Sequence, residues 1–197
     1  MDIFTDSFTN GKVVLICPGK DGSMDGYGGK YKSLAENIIK QKLAAVVRIS
    51  NPNTDNQDRE VNLRSAIEYI RKNSLKITGY EKFELSIIGV SAGARSAALL
   101  ASNIKELKNL LLIEPAAPFD SEQMIKSLRS YGGKIGIVVG QGGDSLGMEV
   151  GNIYKKMARD ESQVDLTEIK NSDHHFSDPK ATEELNEWIM TRLTNWL

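Results

Sequence analysis

Residues 83–100 read FELSIIGVSAGARSAALL, an apolar run followed by Gly-Val-Ser-Ala-Gly and then by small and apolar residues. This order predicts a buried strand, a sharp turn at Ser91 and a helix. In such a turn the serine takes a strained backbone conformation, and the glycines stand where a Cβ would collide with the neighbouring strand and helix. The turn would present the Ser91 hydroxyl at the end of the sheet, beside a helix N-terminus that favours negative charge.

Apolar, β-branched runs alternate with helical patterns along the rest of the chain. The predicted strands are residues 12–17, 44–49, 83–88, 109–113, 134–139 and 164–169. The predicted helices are residues 30–42, 57–73, 92–103, 121–130, 146–160 and 180–197. This alternation predicts an α/β fold, a mainly parallel sheet of about six strands with helices on both faces.

Composition and charge limit the classes of function. The 197 residues are 40% hydrophobic and 26% charged, which is enough apolar side chain for the core of one globular domain. A formal net charge of -1 and the lack of a basic run argue against nucleic acid or an anionic membrane as a partner. The apolar runs are far shorter than the ~20 residues that span a bilayer.

The expected compartment is derived from the N-terminus and the cysteine usage. The first ten residues carry two acids and no basic region, so we expect no secretory signal. The single cysteine, Cys17, cannot form an internal disulfide, which fits a reducing compartment. We therefore expect a cytoplasmic protein. The sequence does not indicate an oligomeric state.

A serine, an acid and a histidine follow one another along the chain in an order that resembles that of the α/β-hydrolase superfamily. The turn at Ser91 precedes an acid, Asp144, after one strand and a histidine, His174, after the last strand. The resemblance extends from about Lys12 to the C-terminal helix. It implies a serine hydrolase in which Ser91 is the nucleophile, His174 the base and Asp144 the orienting acid. The implied substrate is a small carboxylic ester or thioester, with no cofactor and no metal ion.

The acid has an alternative in the sequence. The segment Gly140-Gln141-Gly142-Gly143-Asp144 is one residue longer than the Gly-x-x-Asp that is usual in the superfamily. Asp144 could instead cap the helix that comes after it, as Asp commonly does. Glu114, at the tip of the strand 109–113, is the reserve acid, since some relatives place theirs at that position.

The base also has an alternative. His174 and His175 are the only histidines, so one of them must serve if this mechanism operates. We prefer His174, because members of the superfamily commonly follow the catalytic histidine with one residue and then an aromatic, here Phe176. The competing interpretation is a pair of exposed loop histidines without a catalytic role.

The resemblance also implies two backbone donors that would stabilise an oxyanion. One is the N–H of Ala92, the residue after the nucleophile. The other is the N–H of Lys20, because Pro18-Gly19 stands in place of the His-Gly pair of the superfamily. The connection between the predicted strand 109–113 and the predicted helix 121–130 is short, residues 114–120. In the superfamily, lid domains are usually inserted at this connection. We therefore expect a single domain, residues 1–197, with no inserted cap and an open site.

Two other functions remain open on the sequence. A catalytically silent α/β-hydrolase-like binding protein would keep the fold without the chemistry, although it would have no reason to retain the three ordered groups. A phosphate- or nucleotide-binding protein would use the glycine-rich segments 19–29 and 140–147, whose N–H groups could cradle phosphate. Neither segment contains a P-loop or a dinucleotide-binding motif in the right setting.

Overall fold

The computed structural model describes residues 2–52, 55–118, 121–142 and 147–197, without the side chains of Asn56 and Ser121. Within these residues, seven strands form one sheet in the order β1-β3-β2-β4-β5-β6-β7. The strands are β1 Ile3–Asp6, β2 Lys12–Cys17, β3 Ala45–Ile49, β4 Glu84–Val90, β5 Leu107–Ile113, β6 Lys134–Gly140 and β7 Val164–Ile169. All neighbouring strands are parallel except β1, which pairs antiparallel with β3.

Helices cover both faces of the sheet. They are α1 Lys30–Lys40, α2 Asn56–Thr78, α3 Ala92–Leu100, α4 Ser121–Ser130, α5 Gly147–Met157 and α6 Pro179–Trp196. Buried residues of α1 and α6 form one apolar cluster with the strands, and those of α2 to α5 form the other. The prediction of a mainly parallel α/β sheet with helices on both faces is therefore confirmed, with seven strands rather than about six. Among the described residues, no helix is long and apolar enough to cross a membrane.

Two elements differ from the sequence-based expectation. The sequence pattern does not predict the edge strand β1, because its four residues are only partly buried and lack a continuous apolar run. Helix α2 continues past the predicted stop at Asn73 to Thr78. The Asn73 side chain donates to the Tyr69 carbonyl within the helix instead of ending it. Gly79, at φ 78°, ends the helix in the left-handed conformation typical of a glycine C-cap.

Candidate active site

Ser91 occupies a strained turn between β4 and α3. Its backbone has φ 52° and ψ −119°, a combination that non-glycine residues rarely adopt. The Ser91 N–H donates to the Ile113 carbonyl at 2.8 Å, and the Ser91 carbonyl accepts from the Ala116 N–H at 3.1 Å. These bonds to the end of β5 and the loop after it hold the serine in that conformation.

The glycines on either side of Ser91 are required by close packing. A Cβ on Gly93 would lie 2.4 Å from the carbonyl oxygens of Cys17 and Pro18, at the end of β2. A Cβ on Gly89 would lie 2.6 Å from the Cα of Ala94. The Gly-x-Ser-x-Gly pattern therefore allows α3 to leave β4 while packed directly against the backbone of the neighbouring strand end.

A histidine and a buried carboxylate meet beside this turn. Nδ1 of His174 lies 3.4 Å from Oε2 of Glu114. The other carboxylate oxygen of Glu114 accepts the Gly140 N–H at the end of β6. The Glu114 side chain is 4% exposed and the His174 side chain 25% exposed, so the imidazole reaches solvent while the carboxylate lies beneath it. This arrangement can fix the orientation of the imidazole and stabilise its protonated form.

The loop that carries His174 is held by its own hydrogen bonds. Phe176 is buried at φ 50° and anchors the loop in the core. A carboxylate oxygen of Asp173 accepts the N–H of Ser177 at 2.8 Å and the N–H of His175 at 3.0 Å. Hydrogen bonds from Ser177, then the one from His175, lower the pKa of Asp173. The carboxylate of Asp173 is thus bound within the loop, and among the described residues the carboxylate that faces the His174 ring is that of Glu114.

Ser91 and both histidines line one cavity of about 230 Å³ at the carboxyl ends of the strands. The loop after β2 forms the opposite wall through residues that include Gly19 and Lys20. A Cβ on Gly19 would lie 3.1 Å from the Cβ of Ser91, so this loop passes directly over the serine. The structure therefore brings Ser91, His174 and Lys20 together, with Ala92 N–H at the start of α3, where helical N–H groups lack intrahelical partners.

A larger cavity, of about 330 Å³, contains none of the predicted site residues. It is lined by Tyr131, Gly132, Arg159 and neighbouring residues near the start of β6 and β7. We assign the candidate site to the smaller cavity because three of the predicted site residues, Ser91, His174 and Lys20, line it. Within the described ranges, no group of three or more His, Cys, Asp or Glu side chains could hold a metal ion.

The predicted acid, Asp144, lies outside the described residues, so its role stays a prediction. The described carboxylate at His174 belongs to Glu114, the reserve acid among the sequence-based candidates. The proximity of Glu114 to His174 depends on the order of β5, β6 and β7 in the sheet, which no local motif reports.

Asn51 is a residue of this region that sequence reasoning missed. It is fully buried, and its side-chain amide donates to the Pro18 carbonyl at 2.8 Å. Its backbone N–H donates to the Gly22 carbonyl, also at 2.8 Å. Asn51 thus holds both sides of the loop that carries Lys20. The signal in the sequence is a polar residue placed shortly after the end of a buried strand.

Comparison with known proteins gives matches only at the level of structure. No protein-family model and no curated protein sequence matches the chain. Dienelactone hydrolase from Anabaena variabilis is 15% identical with a TM-score of 0.75, covering 96% of this chain and 89% of that one. A monoacylglycerol lipase from Paleococcus ferrophilus is 14% identical with a TM-score of 0.74, covering 100% of both chains.

A third similar structure is Est1E from Butyrivibrio proteoclasticus with ferulic acid bound. It is 15% identical with a TM-score of 0.71, covering 98% of this chain and 95% of that one. At such low identity these similarities concern the fold. Together with the strand order and the turn at Ser91, they show that the chain has the fold of the α/β-hydrolase superfamily.

Proposed function

We propose that this protein is a serine hydrolase that cleaves a small carboxylic ester or thioester through an acyl-enzyme. The observation that carries the proposal is a single cavity that holds a strained, motif-positioned Ser91 and a His174 whose Nδ1 faces the buried carboxylate of Glu114. A serine hydroxyl is a poor nucleophile until a base takes its proton, and that base works best when a third group orients it.

The reaction would proceed in two halves. Oγ of Ser91 attacks the carbonyl carbon while its proton passes to Nε2 of His174, and the carbonyl oxygen becomes an oxyanion. The N–H groups of Ala92 and Lys20 would donate to that oxyanion. The tetrahedral intermediate then expels the alcohol or thiol, which takes the proton from His174. Water attacks the acyl-enzyme by the same route, releases the acid and restores Ser91.

For the orienting acid we propose Glu114, with Asp144 as the competing candidate. Support for Glu114 comes from its distance of 3.4 Å to His174 Nδ1 and from its hydrogen bond with Gly140, which directs the carboxylate toward the imidazole. Its left-handed φ of 44° is a strained conformation of the kind that concentrates at functional sites.

The size of the cavity supports a small substrate. Its volume of about 230 Å³ lies below the range of about 300–1,000 Å³ that is usual for ligand pockets. Such a cavity removes only a few methylene groups of an acyl chain from water. We therefore propose that short acyl chains are preferred. Because the sequence predicts no inserted cap, we also propose that the enzyme is not activated when substrate forms micelles.

Labelling with a fluorophosphonate probe and mapping of the modified peptide test this function. We expect one label, on Ser91, and none on the Ser91→Ala variant. The control variant is Ser33→Ala, which changes an exposed serine of α1 outside the cavity and should label like the wild type. Labelling of Ser23, which lines the same cavity, would contradict the assignment. A folded protein that takes no label would favour the catalytically silent binding protein.

A further inference from the structure

The titratable side chains that line the candidate cavity are basic or aromatic. Lys20, Lys30, His174 and His175 line it, whereas no Asp or Glu of the described part of the chain does. The chain as a whole is balanced, with 25 Lys and Arg against 26 Asp and Glu, so this lining differs from the average composition. A cavity lined by one sign of charge concentrates ligands of the opposite sign.

Two acids of the surrounding loops, besides Glu114 beneath His174, make contacts of their own. The carboxylate of Asp25 pairs with Arg48 on β3. The carboxylate of Asp173 accepts the N–H groups of His175 and Ser177. Lys30 therefore reaches the cavity without a carboxylate ion-pair partner among the residues that the structure describes.

Lys30 is held so that it can present its charge to a ligand. It is the first residue of α1, and its Nζ donates to the His175 carbonyl at 3.1 Å, which holds the side chain against the histidine loop. An ammonium group has three donors, so two remain beyond this bond. Partial burial lowers the pKa of Lys30, while the negative charge of Asp173 opposes that shift. Partial removal of Lys30 from water is a cost that an anionic ligand would offset.

We propose that the substrate carries a carboxylate in addition to its ester or thioester, and that Lys30 binds this carboxylate while Ser91 attacks the acyl carbon. The inference rests on the proposed hydrolase function and names the substrate class of that site. A carboxylate is a compact anionic group that fits beside a short ester in a cavity of about 230 Å³. The exposed residue Lys20 also lines the cavity, and its positive charge would attract the anionic substrate over a longer range.

The test compares two esters of equal acyl length, mono-p-nitrophenyl adipate and p-nitrophenyl hexanoate. The measured quantity is the ratio of their kcat/KM values, after subtraction of spontaneous hydrolysis. Loss of a charge-assisted contact should lower this ratio about ten-fold in Lys30→Gln. The variant Lys30→Arg keeps the charge and should keep most of the ratio. A parallel pair, 4-carboxyphenyl butyrate and phenyl butyrate, tests a carboxylate on the leaving group.

Lys32→Gln is the matched control. It removes the same charge from the same helix, but Lys32 is exposed and lies outside the cavity, so the ratio should stay at the wild-type value. An unchanged ratio in Lys30→Gln for both ester pairs would overturn the proposal. So would an equal loss on charged and neutral esters, because Lys30 would then act only by holding the His175 carbonyl.

Failure of the hydrolase function is recognised separately. If the wild type turns over p-nitrophenyl hexanoate and Ser91→Ala does not, the hydrolase function stands whatever the ratio shows. If the wild type turns over neither ester, calorimetric titration of adipate into the wild type and Lys30→Gln still tests the carboxylate site. Binding that is about ten-fold weaker in the variant supports the site, and equal or absent binding overturns it.

Discussion

The ends of β4 and β5 use the same backbone device for two different purposes. Each strand is followed directly by a non-glycine residue with positive φ, Ser91 at 52° and Glu114 at 44°. Each of these residues donates its N–H to a carbonyl near the end of the next strand, Ser91 to Ile113 and Glu114 to Val138, both at 2.8 Å. This shared geometry places the side chains of Ser91 and Glu114 at the same edge of the sheet.

The two turns differ in the segment of the chain that follows each of them. After Ser91 the chain enters α3, and the serine lines the cavity. After Glu114 the chain continues through Pro115 into a loop, and the carboxylate is buried against Gly140 and His174. One turn exposes a group that can react and the other buries a group that can orient. The Ala116 N–H links them by donating to the Ser91 carbonyl.

The largest expected effect is at the exposed turn. Ser91→Ala should lower kcat for p-nitrophenyl hexanoate about 10⁴-fold or more, because the attacking oxygen is lost. Its circular dichroism should match that of the wild type. Substantial turnover by the folded variant would remove Ser91 from the role of nucleophile.

The two adjacent histidines should differ sharply. His174→Ala should lower kcat about as much as Ser91→Ala, and the double variant should be hardly worse, since groups that act as a unit are not additive. His175→Ala should cost less than about ten-fold, because it is His174 whose Nδ1 faces the buried carboxylate of Glu114. Steady-state kinetics of these four variants and the wild type measures the effects. A larger loss in His175→Ala than in His174→Ala would assign the base to His175.

Substitution of Glu114, at the buried turn, should lower kcat somewhat less than substitution of Ser91. Glu114→Gln keeps the shape but removes the charge beside His174, and should lower kcat about 10³-fold. Asp144→Asn is the matched comparison and should cost less than about five-fold, since the proposal assigns the orientation of His174 to Glu114. If the two variants exchange these effects, Asp144 is the orienting acid and Glu114 supports the loop.

A further expectation concerns the acyl chain. A buried methylene contributes about 0.8 kcal/mol, so kcat/KM should rise only while the small cavity still covers added carbons. On p-nitrophenyl esters we expect the maximum at about two to six acyl carbons. A steady rise through long-chain esters would show that the loops around the cavity bury far more chain than its present volume allows.

The smallest expected effects are on the free energy of unfolding. Substitution by glycine should raise it at Ser91 and lower it at Glu114. Ser91→Gly relieves a positive φ and should raise the free energy of unfolding by about 1 kcal/mol, after the entropy cost of glycine. Glu114→Gly relieves a similar φ but leaves the buried Gly140 N–H without its acceptor, a loss of about 1–3 kcal/mol. Urea denaturation measures both. A gain in both variants would mean that the Glu114 carboxylate contributes little to the fold.

The sequence is most informative where local rules determine the structure. The bounds of β2, β7 and α4 match their predictions, because apolar runs and turn residues mark them. Ser91 can be identified because close packing requires a glycine on each side of it. The contact of Glu114 with His174 joins two distant loops through the order of β5, β6 and β7, and no local pattern reports it. The basic lining of the cavity is hidden from the sequence for the same reason.

Transfer of an acyl group to Ser91 can be observed directly. The wild type is mixed with p-nitrophenyl hexanoate, quenched with acid during the first turnovers, digested and analysed by peptide mass spectrometry. The proposed mechanism predicts a burst of p-nitrophenol and a hexanoyl group on the peptide that contains Ser91. Ester turnover with no acylated peptide at any time, or with the acyl group on another residue such as Lys30, would contradict it.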